Sequence, residues 1–278
     1  MKRILVPIDY SNPSLQAARY AFHFALESGA TLDFLHIFSI PVSAVDSYVY
    51  VPDHEEIEAI RSNHLNHLNE IASDLRLKSA ISIQINVHCV YGHPIEQILE
   101  FGKQYKNDLI IIGLQGEGFL KERFVGSITT HLFRKSHIPV IAIHSTTTYS
   151  KIKNILFAYD LKPFSNKQLL KPLVELANYF NAHVHVLNVT DELEIFPNIS
   201  EQLQANHLNP PLNLNNTSYH IVENENIVDG IKEYLAMNTI DLIVIISREH
   251  SVITNIFDER ISKKTAFNLD LPILAFDD

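Results

Sequence analysis

Tryptophan is absent from the 278 residues, methionine occurs twice, cysteine once and glycine only eight times. One cysteine, Cys89, excludes a disulfide framework and fits a reducing compartment. No apolar run approaches the roughly 20 residues that cross a bilayer. The opening stretch MKRILVPIDYS turns from basic to apolar, but Pro7 and Asp9 interrupt it. It is too short for the apolar core of a signal peptide. The expectation is a cytoplasmic protein with no membrane partner. Basic residues are also scarce: 22 Lys and Arg stand against 32 Asp and Glu, a net charge of −10. Such a chain repels polyanions at long range, which argues against nucleic acid as a partner. A small anion still binds wherever one local site supplies donors. What the chain does have is 46% apolar and 19% charged residues, the balance of a folded globular protein.

One plan is written twice. KRILVPIDYS at 2–11 matches KNILFAYDLK at 153–162, each basic, then apolar, then reaching an aspartate, Asp9 or Asp160. ATLDFLHIF (30–38) matches AHVHVLNVT (182–190), DLIIIG (108–113) matches DLIVII (241–246), and IPVIAI (138–143) matches LPILAF (271–276). Four matches in one order indicate a duplication. Strands are expected near 3–9, 31–38, 81–90, 108–113 and 139–144, and again near 154–160, 183–190, 217–223, 241–247 and 272–277. Helical periodicity fills the gaps: Ile57, Ile60, His64, Leu68, Ile71 and Leu75 recur at spacings of three and four. Segments 14–28, 94–105 and 127–136 also read as helices. Unbroken apolar strands alternating with helices predict an α/β fold of two tandem doubly wound domains. Each is a five-stranded parallel sheet with helices on both faces, over 1–147 and 148–278. The polar joint STTTYSKI (145–152) lacks Gly and Pro, so the halves are expected to pack together.

Half of the scarce glycine lies in one segment, GLQGEGFLKERFVGS (113–127): Gly113, Gly116, Gly118 and Gly126. It follows the strand DLIII, and so sits at the carboxyl end of a sheet, where ligands of such folds bind. Gly113 and Gly116 are expected to allow positive φ and to let a ligand approach the backbone. Gly126-Ser127 opens a helix, whose free N–H groups favour phosphate. Ser127, Thr129 and Thr130 add hydroxyls, and Lys121 and Arg123 add charge. The plainer reading is a glycine turn followed by a capping serine. Neither G-x-x-x-x-G-K-[ST] nor G-x-G-x-x-G fits the segment.

Gly113-x2-Gly116-x9-Gly126-Ser127 matches the G-x2-G-x9-G-[ST] signature of nucleotide-binding universal stress proteins. ILVPIDYS resembles the first strand of this UspA-like family, VYGHPIEQIL the Gly-x-Pro entry to a later helix, and IPVIAI the last strand. Both halves are covered, so the chain resembles a tandem universal stress protein. The resemblance implies a stress-response protein that binds ATP or a related adenine nucleotide, with or without Mg. Asp9, with Pro7 beside it, would meet adenine and ribose, and Ile37 would line the base pocket. Ile112, Gly113, Gln115 and Gly116 would wrap ribose and phosphates, and Gly126, Ser127, Ile128 and Thr129 would hold the phosphates. It also implies pairing of edge strands across a two-fold axis, here between 139–143 and 272–276 as an intramolecular pseudo-dimer, or between two copies as a homodimer. No catalytic residue is assigned, and activity is at most a weak ATPase. Binding would order the glycine loop and the apolar segment 39–54 and so change a surface seen by an unknown protein partner. The rival readings are an interaction protein with a relic motif and an apolar ligand under 39–54.

The second copy departs from the signature. A common offset places Ile246, Glu249, Glu259 and Arg260 opposite Gly113, Gly116, Gly126 and Ser127, and the match of the first strands puts Ala158 opposite Pro7. Side chains would fill the phosphate space, so the second half is not expected to bind ATP in this manner. Elsewhere, His64 and His67 share a helix downstream of His54 and Glu55, but His64 also fits the apolar face, and no metal is assigned. His183 and His185, which match Thr31 and Asp33, read as a solvated strand start. Cys89 reads as a buried structural thiol. The Asn- and Pro-rich stretch 206–218 reads as surface loop.

Overall fold

The computed structural model describes residues 1–39, 44–45, 48–49, 53–114, 127–160, 167–190, 214, 216–247 and 270–277. The first half runs β1 (Arg3–Pro7), α1 (Asn12–Ser28), β2 (Thr31–Phe38), two short strands β3 (Ala44–Val45) and β4 (Tyr48–Val49), α2 (His54–Leu77), β5 (Ile85–Tyr91), α3 (Pro94–Gln104), β6 (Leu109–Leu114), α4 (Ser127–Lys135) and β7 (Val140–His144). The second runs β8 (Asn154–Ala158), a 3-10 turn (Lys167–Leu170) leading into α5 (Lys171–Phe180), β9 (His183–Thr190), β10 (Thr217–Glu223), α6 (Ile227–Met237), β11 (Leu242–Ser247) and β12 (Ile273–Asp277).

Local chemistry sets the helix ends. Ser11 caps α1 by accepting from the Ser14 N–H, and Pro13 occupies the first turn. Asp53 and Glu56 form a reciprocal capping box at the start of α2. α1 ends at Gly29 (φ 66°) and α5 at Asn181 (φ 49°), the left-handed C-cap that only Gly and Asn adopt cheaply.

Ten strands form one sheet in the order β10-β9-β8-β11-β12-β7-β6-β1-β2-β5. Pairing is parallel within each half. The halves meet where β7 runs antiparallel to β12, with Ala142 opposite Ile273, Ile141 opposite Leu274 and Val140 opposite Ala275. These are the runs singled out as edges in the sequence. The fold is thus two tandem doubly wound units, each with its first strand at the centre. The chain steps outward from β1 to β2 and β5, then returns to β6 and β7, which leaves a topological switch point between β1 and β6. β8 and β11 flank the corresponding point of the second unit.

Alternate strand residues face opposite layers. Ile4, Val6, Leu32, Phe34, Ile155 and Phe157 pack under α1, α2 and α5. Leu5, Leu35, Ile110, Leu156 and Ile243 pack under α3, α4 and α6. The joint packs as its composition suggests: Thr147 and Ile152 are buried, Tyr20 meets Tyr149 edge-on at 5.1 Å, and the Gln16 amide donates to the Thr147 carbonyl at 2.7 Å. The fifth strand begins at Ile85 rather than near 81, because its pairing with β2 starts at Leu32; Ile81 is exposed. Among the described residues no helix is long and apolar enough to cross a membrane.

Candidate functional site

The switch point between β1 and β6 brings predicted residues together. Pro7 is buried at the end of β1, paired with Leu35. Asp9 follows two residues later and is exposed. Its Oδ1 accepts the Ser11 N–H (3.0 Å) and the Ser11 hydroxyl, while its own N–H donates to Ser14 Oγ at 3.3 Å. Partial burial pushes the Asp9 carboxyl up. The hydrogen bonds from Ser11 and Ser14 outweigh that, and the group ionises below the usual carboxylate value.

Gly113 reaches the same place from β6. A Cβ there would lie 2.4 Å from the Pro13 carbonyl carbon and 2.6 Å from the Ser14 nitrogen. Ser14 therefore touches both Asp9 and Gly113, and the first turn of α1 joins the two strand ends. This corrects one expectation. Among the described glycines only Gly29 and Gly92 have positive φ. Gly113 is needed for the close passage of the α1 backbone, not for an unusual conformation. Ile112 is 7% exposed on β6, and Ile37 and Ile128 are half-buried against the layer under α3 and α4. Ser127 opens α4. Thr129 is buried, and its hydroxyl donates to the Gly113 carbonyl at 3.5 Å, so it ties α4 to β6. Gln115, Gly116, Gly118, Lys121, Arg123 and Gly126 lie outside the described residues, as do most of 39–54 and 206–218 and, in the second half, Glu249, Glu259 and Arg260. Ile246 is described: it is 7% exposed in the apolar layer under α1 and α5, at the position where β6 has Gly113.

A family model, the universal stress protein family, matches residues 1–144. The chain belongs to the universal stress protein family. Residues of this universal stress protein are 31% identical over 145 positions to the universal stress protein YxiE of Bacillus subtilis, covering 51% of this chain and 97% of that one. They are 27% identical over 143 positions to the universal stress protein MJ0531 of Methanocaldococcus jannaschii, covering 51% and 81%. A crystal structure of a universal stress protein from Archaeoglobus fulgidus superposes with a TM-score of 0.69 at 16% identity over 99% of this chain and 96% of that one, which shows that the ten-stranded tandem fold recurs.

Sequence reasoning missed two clusters. The first surrounds Asp33, read with His183 and His185 as a solvated strand start. Asp33 is instead fully buried. Arg3 grips it with Nε on Oδ2 and Nη2 on Oδ1 (2.9 Å), Asn86 donates to Oδ1 at 2.9 Å, Asn107 donates to Oδ2 at 2.8 Å, and His88 Nε2 stands 3.4 Å from Oδ1. Burial alone would raise its pKa. His88 close beside it and hydrogen bonds from Arg3, Asn86 and Asn107 reverse that and hold it well below the usual carboxylate range. His183 and His185 are half-buried and bonded: His183 Nε2 to Ser218 Oγ at 2.8 Å, and His185 Nδ1 to the Tyr234 hydroxyl at 2.8 Å. The signal was present in Leu-Asp-Phe-Leu, since a lone acid between apolar strand neighbours needs a buried cation, and Arg3 stands on the adjacent strand.

The second cluster is a ring stack beside Asp9. Tyr10 lies between His36 (4.5 Å) and His67 (4.4 Å), and His36 lies 4.1 Å from His64. Among the described residues no group of three or more His, Cys, Asp or Glu is arranged to hold a metal ion. Cys89 is buried and free, as expected, and burial pushes its thiol up to about 11.

Proposed function

We propose that the amino-terminal unit, residues 1–147, binds an adenine nucleotide, ATP with or without Mg, in the crevice between β1 and β6. The observation that carries this reading is the convergence of Asp9 and Gly113 on Ser14 at the switch point. Open α/β sheets take ligands there, outside the strand ends. Asp9 is an ionised acceptor suited to ribose hydroxyls or the adenine amino group. The signature glycines Gly116 and Gly126 lead from β6 to the N-terminus of α4, where free backbone N–H groups and Ser127 would meet phosphates. A bound Mg ion would neutralise phosphate charge; the chain's own contribution is to position the nucleotide.

Under this reading the second unit, 148–278, is a permanent partner rather than a second site. Ile246 supports this, because its side chain occupies the strand position that Gly113 leaves bare. The β7–β12 pairing lets the second unit cap the edge that a single unit would present to another copy. Nucleotide-dependent ordering of the site would then change a surface read by a further protein, in the cytoplasm.

Mass spectrometry of small molecules retained by the gently purified chain tests the reading, together with equilibrium ATP binding. An adenine nucleotide should be retained, and Gly116→Glu or Gly126→Glu should abolish binding. An empty protein in millimolar ATP, or unchanged affinity in both variants, would leave an interaction protein with a relic motif.

A further inference from the structure

The ring stack beside Asp9 is not used by the proposed site, and its geometry is unusual. Tyr10 has φ 66°, a left-handed conformation that a bulky residue adopts only when its surroundings hold it there. What holds it is its own side chain, which lies between the imidazoles of His36 and His67, with its hydroxyl 3.2 Å from His64 Nδ1 and 3.3 Å from the His64 carbonyl. Tyr10 also links Asp9 to Ser11, the residue whose N–H and hydroxyl both bind the Asp9 carboxylate.

His36 has an internal control for its backbone role. Its Nδ1–H donates to the Ile8 carbonyl at 2.7 Å. In the second unit strand register places Asn188 at this position, and its amide donates to the Tyr159 carbonyl at 2.9 Å. The tie from the second strand to the turn after the first is therefore shared by both units. An amide suffices for it, and the titratable ring belongs to the first unit.

We propose that the Tyr10–His36–His64–His67 stack is a proton-sensitive latch that positions Asp9 while its rings are neutral and releases it when two of them carry protons. One proton is tolerated, because the Tyr10 face and the Asp9 carboxylate both favour a single imidazolium. A second charge on a ring 4.1 Å away is repelled in a half-buried site. Separation of the rings frees Tyr10 to leave positive φ and takes the Asp9–Ser11 turn with it.

The neighbours set the balance. From the turn after β1 come Asp9 and Tyr10, from β2 His36, from α2 His64, His67 and Arg61, and from β5 the buried, neutral Cys89. Burial lowers the pKa of His36, against the Ile8 carbonyl and Asp9, which raise it; His67 adds to the lowering. Burial also lowers that of His64, reinforced by His36 and His67. With folded values below the unfolded one, the latch is fully stable above about pH 6.5 and weakens as pH falls below it.

The consequence for ATP rests on the proposed nucleotide site, so the experiment has two arms on the full chain. In ligand-free protein, NMR should show the Asp9, Tyr10 and Ser11 amide resonances moving together with the His36 and His64 ring protons below about pH 6.5. In His36→Asn and in His36→Asn/His64→Gln that movement should be lost. Amides that stay still while the rings titrate would overturn the latch. In the second arm, ATP affinity of the natural chain should weaken about tenfold more between about pH 7.5 and pH 5.5 than that of the double variant, in which ATP's own titration is identical. Equal pH dependence in both would overturn the coupling. Absence of ATP binding near neutral pH would instead remove the nucleotide reading and leave the latch to the first arm.

Discussion

The two units solve the same problem at the amino ends of their strands with opposite chemistry. Strand register aligns Arg3 with Asn154, Asp33 with His185, Asn86 with Ser218 and His88 with His220. The first unit buries a carboxylate and satisfies it with a guanidinium and two amides, with an imidazole nearby. The second uses mostly half-buried side chains with no carboxylate among them: His185 bonds Tyr234, and Ser218 joins His183 and His220. The backbone tolerates either solution, because each places polar groups against polar groups. What differs is what it costs to disturb them. A buried ion left without its partner is expensive, and a neutral hydrogen bond much less so.

The largest expected effect follows directly. Asp33→Ala should destabilise the chain by about 3–5 kcal/mol, because it leaves the half-exposed Arg3 guanidinium, the buried Asn107 amide and the half-buried Asn86 amide without their common acceptor. His185→Ala should cost about 1–2 kcal/mol. Urea unfolding of both variants measures the contrast, and equal losses would show that the Asp33 cluster is no stronger than a neutral network.

Acid should separate the units next. His185 is pushed down to about 4, by burial first and then by His183 and His220. A histidine whose folded value is lowered contributes stability that is complete above about pH 6.5 and declines as pH falls toward its folded value. The Asp33 carboxyl is also depressed, but its contribution is complete above about 3.9 and declines only below that. Hydrogen exchange, corrected for intrinsic rates, should therefore show β9 and β10 losing protection between about pH 6 and pH 4 while the strand starts of β2 and β5 keep theirs. His185→Gln should move that loss to lower pH. Simultaneous loss in both units would mean that the β7–β12 junction unfolds them as one.

The fold was legible because duplication gives each strand an independent second reading. DLIIIG and DLIVII fix β6 and β11, and IPVIAI and LPILAF fix the two strands that meet at the junction. The position of the candidate site was suggested by glycine placed after a strand. Its packing was not. Gly113 reads as a flexible turn residue, yet its strand φ is ordinary and the constraint comes from Pro13, a hundred residues away in sequence. The Asp33 and Tyr10 clusters were hidden for the same reason. Both are assembled from separate elements by register: an aspartate between apolar strand neighbours signals that a cation must meet it, but not which amides and rings of other elements complete the cluster.

Gly113 and Ile246 offer a smaller test of how the two units differ. Gly113→Ala adds one carbon against the Pro13 backbone and should cost about 1–3 kcal/mol, because backbone yields less than a side chain. Ile246→Val removes one carbon from the matching position and should cost about 0.5–1.5 kcal/mol through the cavity it leaves. Thermal unfolding of both variants decides. A neutral Gly113→Ala would mean that α1 can move away from β6, and that the joint between Asp9 and Gly113 is looser than the site requires.

The smallest expected difference is at a strand cap that both halves share. Asp108 Oδ2 accepts the Lys2 and Arg3 N–H groups at 2.7 and 3.0 Å, and Asp241 Oδ2 accepts those of Lys153 and Asn154 at 2.8 and 2.9 Å. Each carboxylate caps the free start of its unit's central strand, and water replaces it when it is removed. Asp108→Ala and Asp241→Ala should each cost about 1 kcal/mol, and by the same amount within error. A marked inequality in urea midpoints would show that the second unit leans on the first for its stability. The cost of a local cap would then be set by the junction and not by the strand it caps.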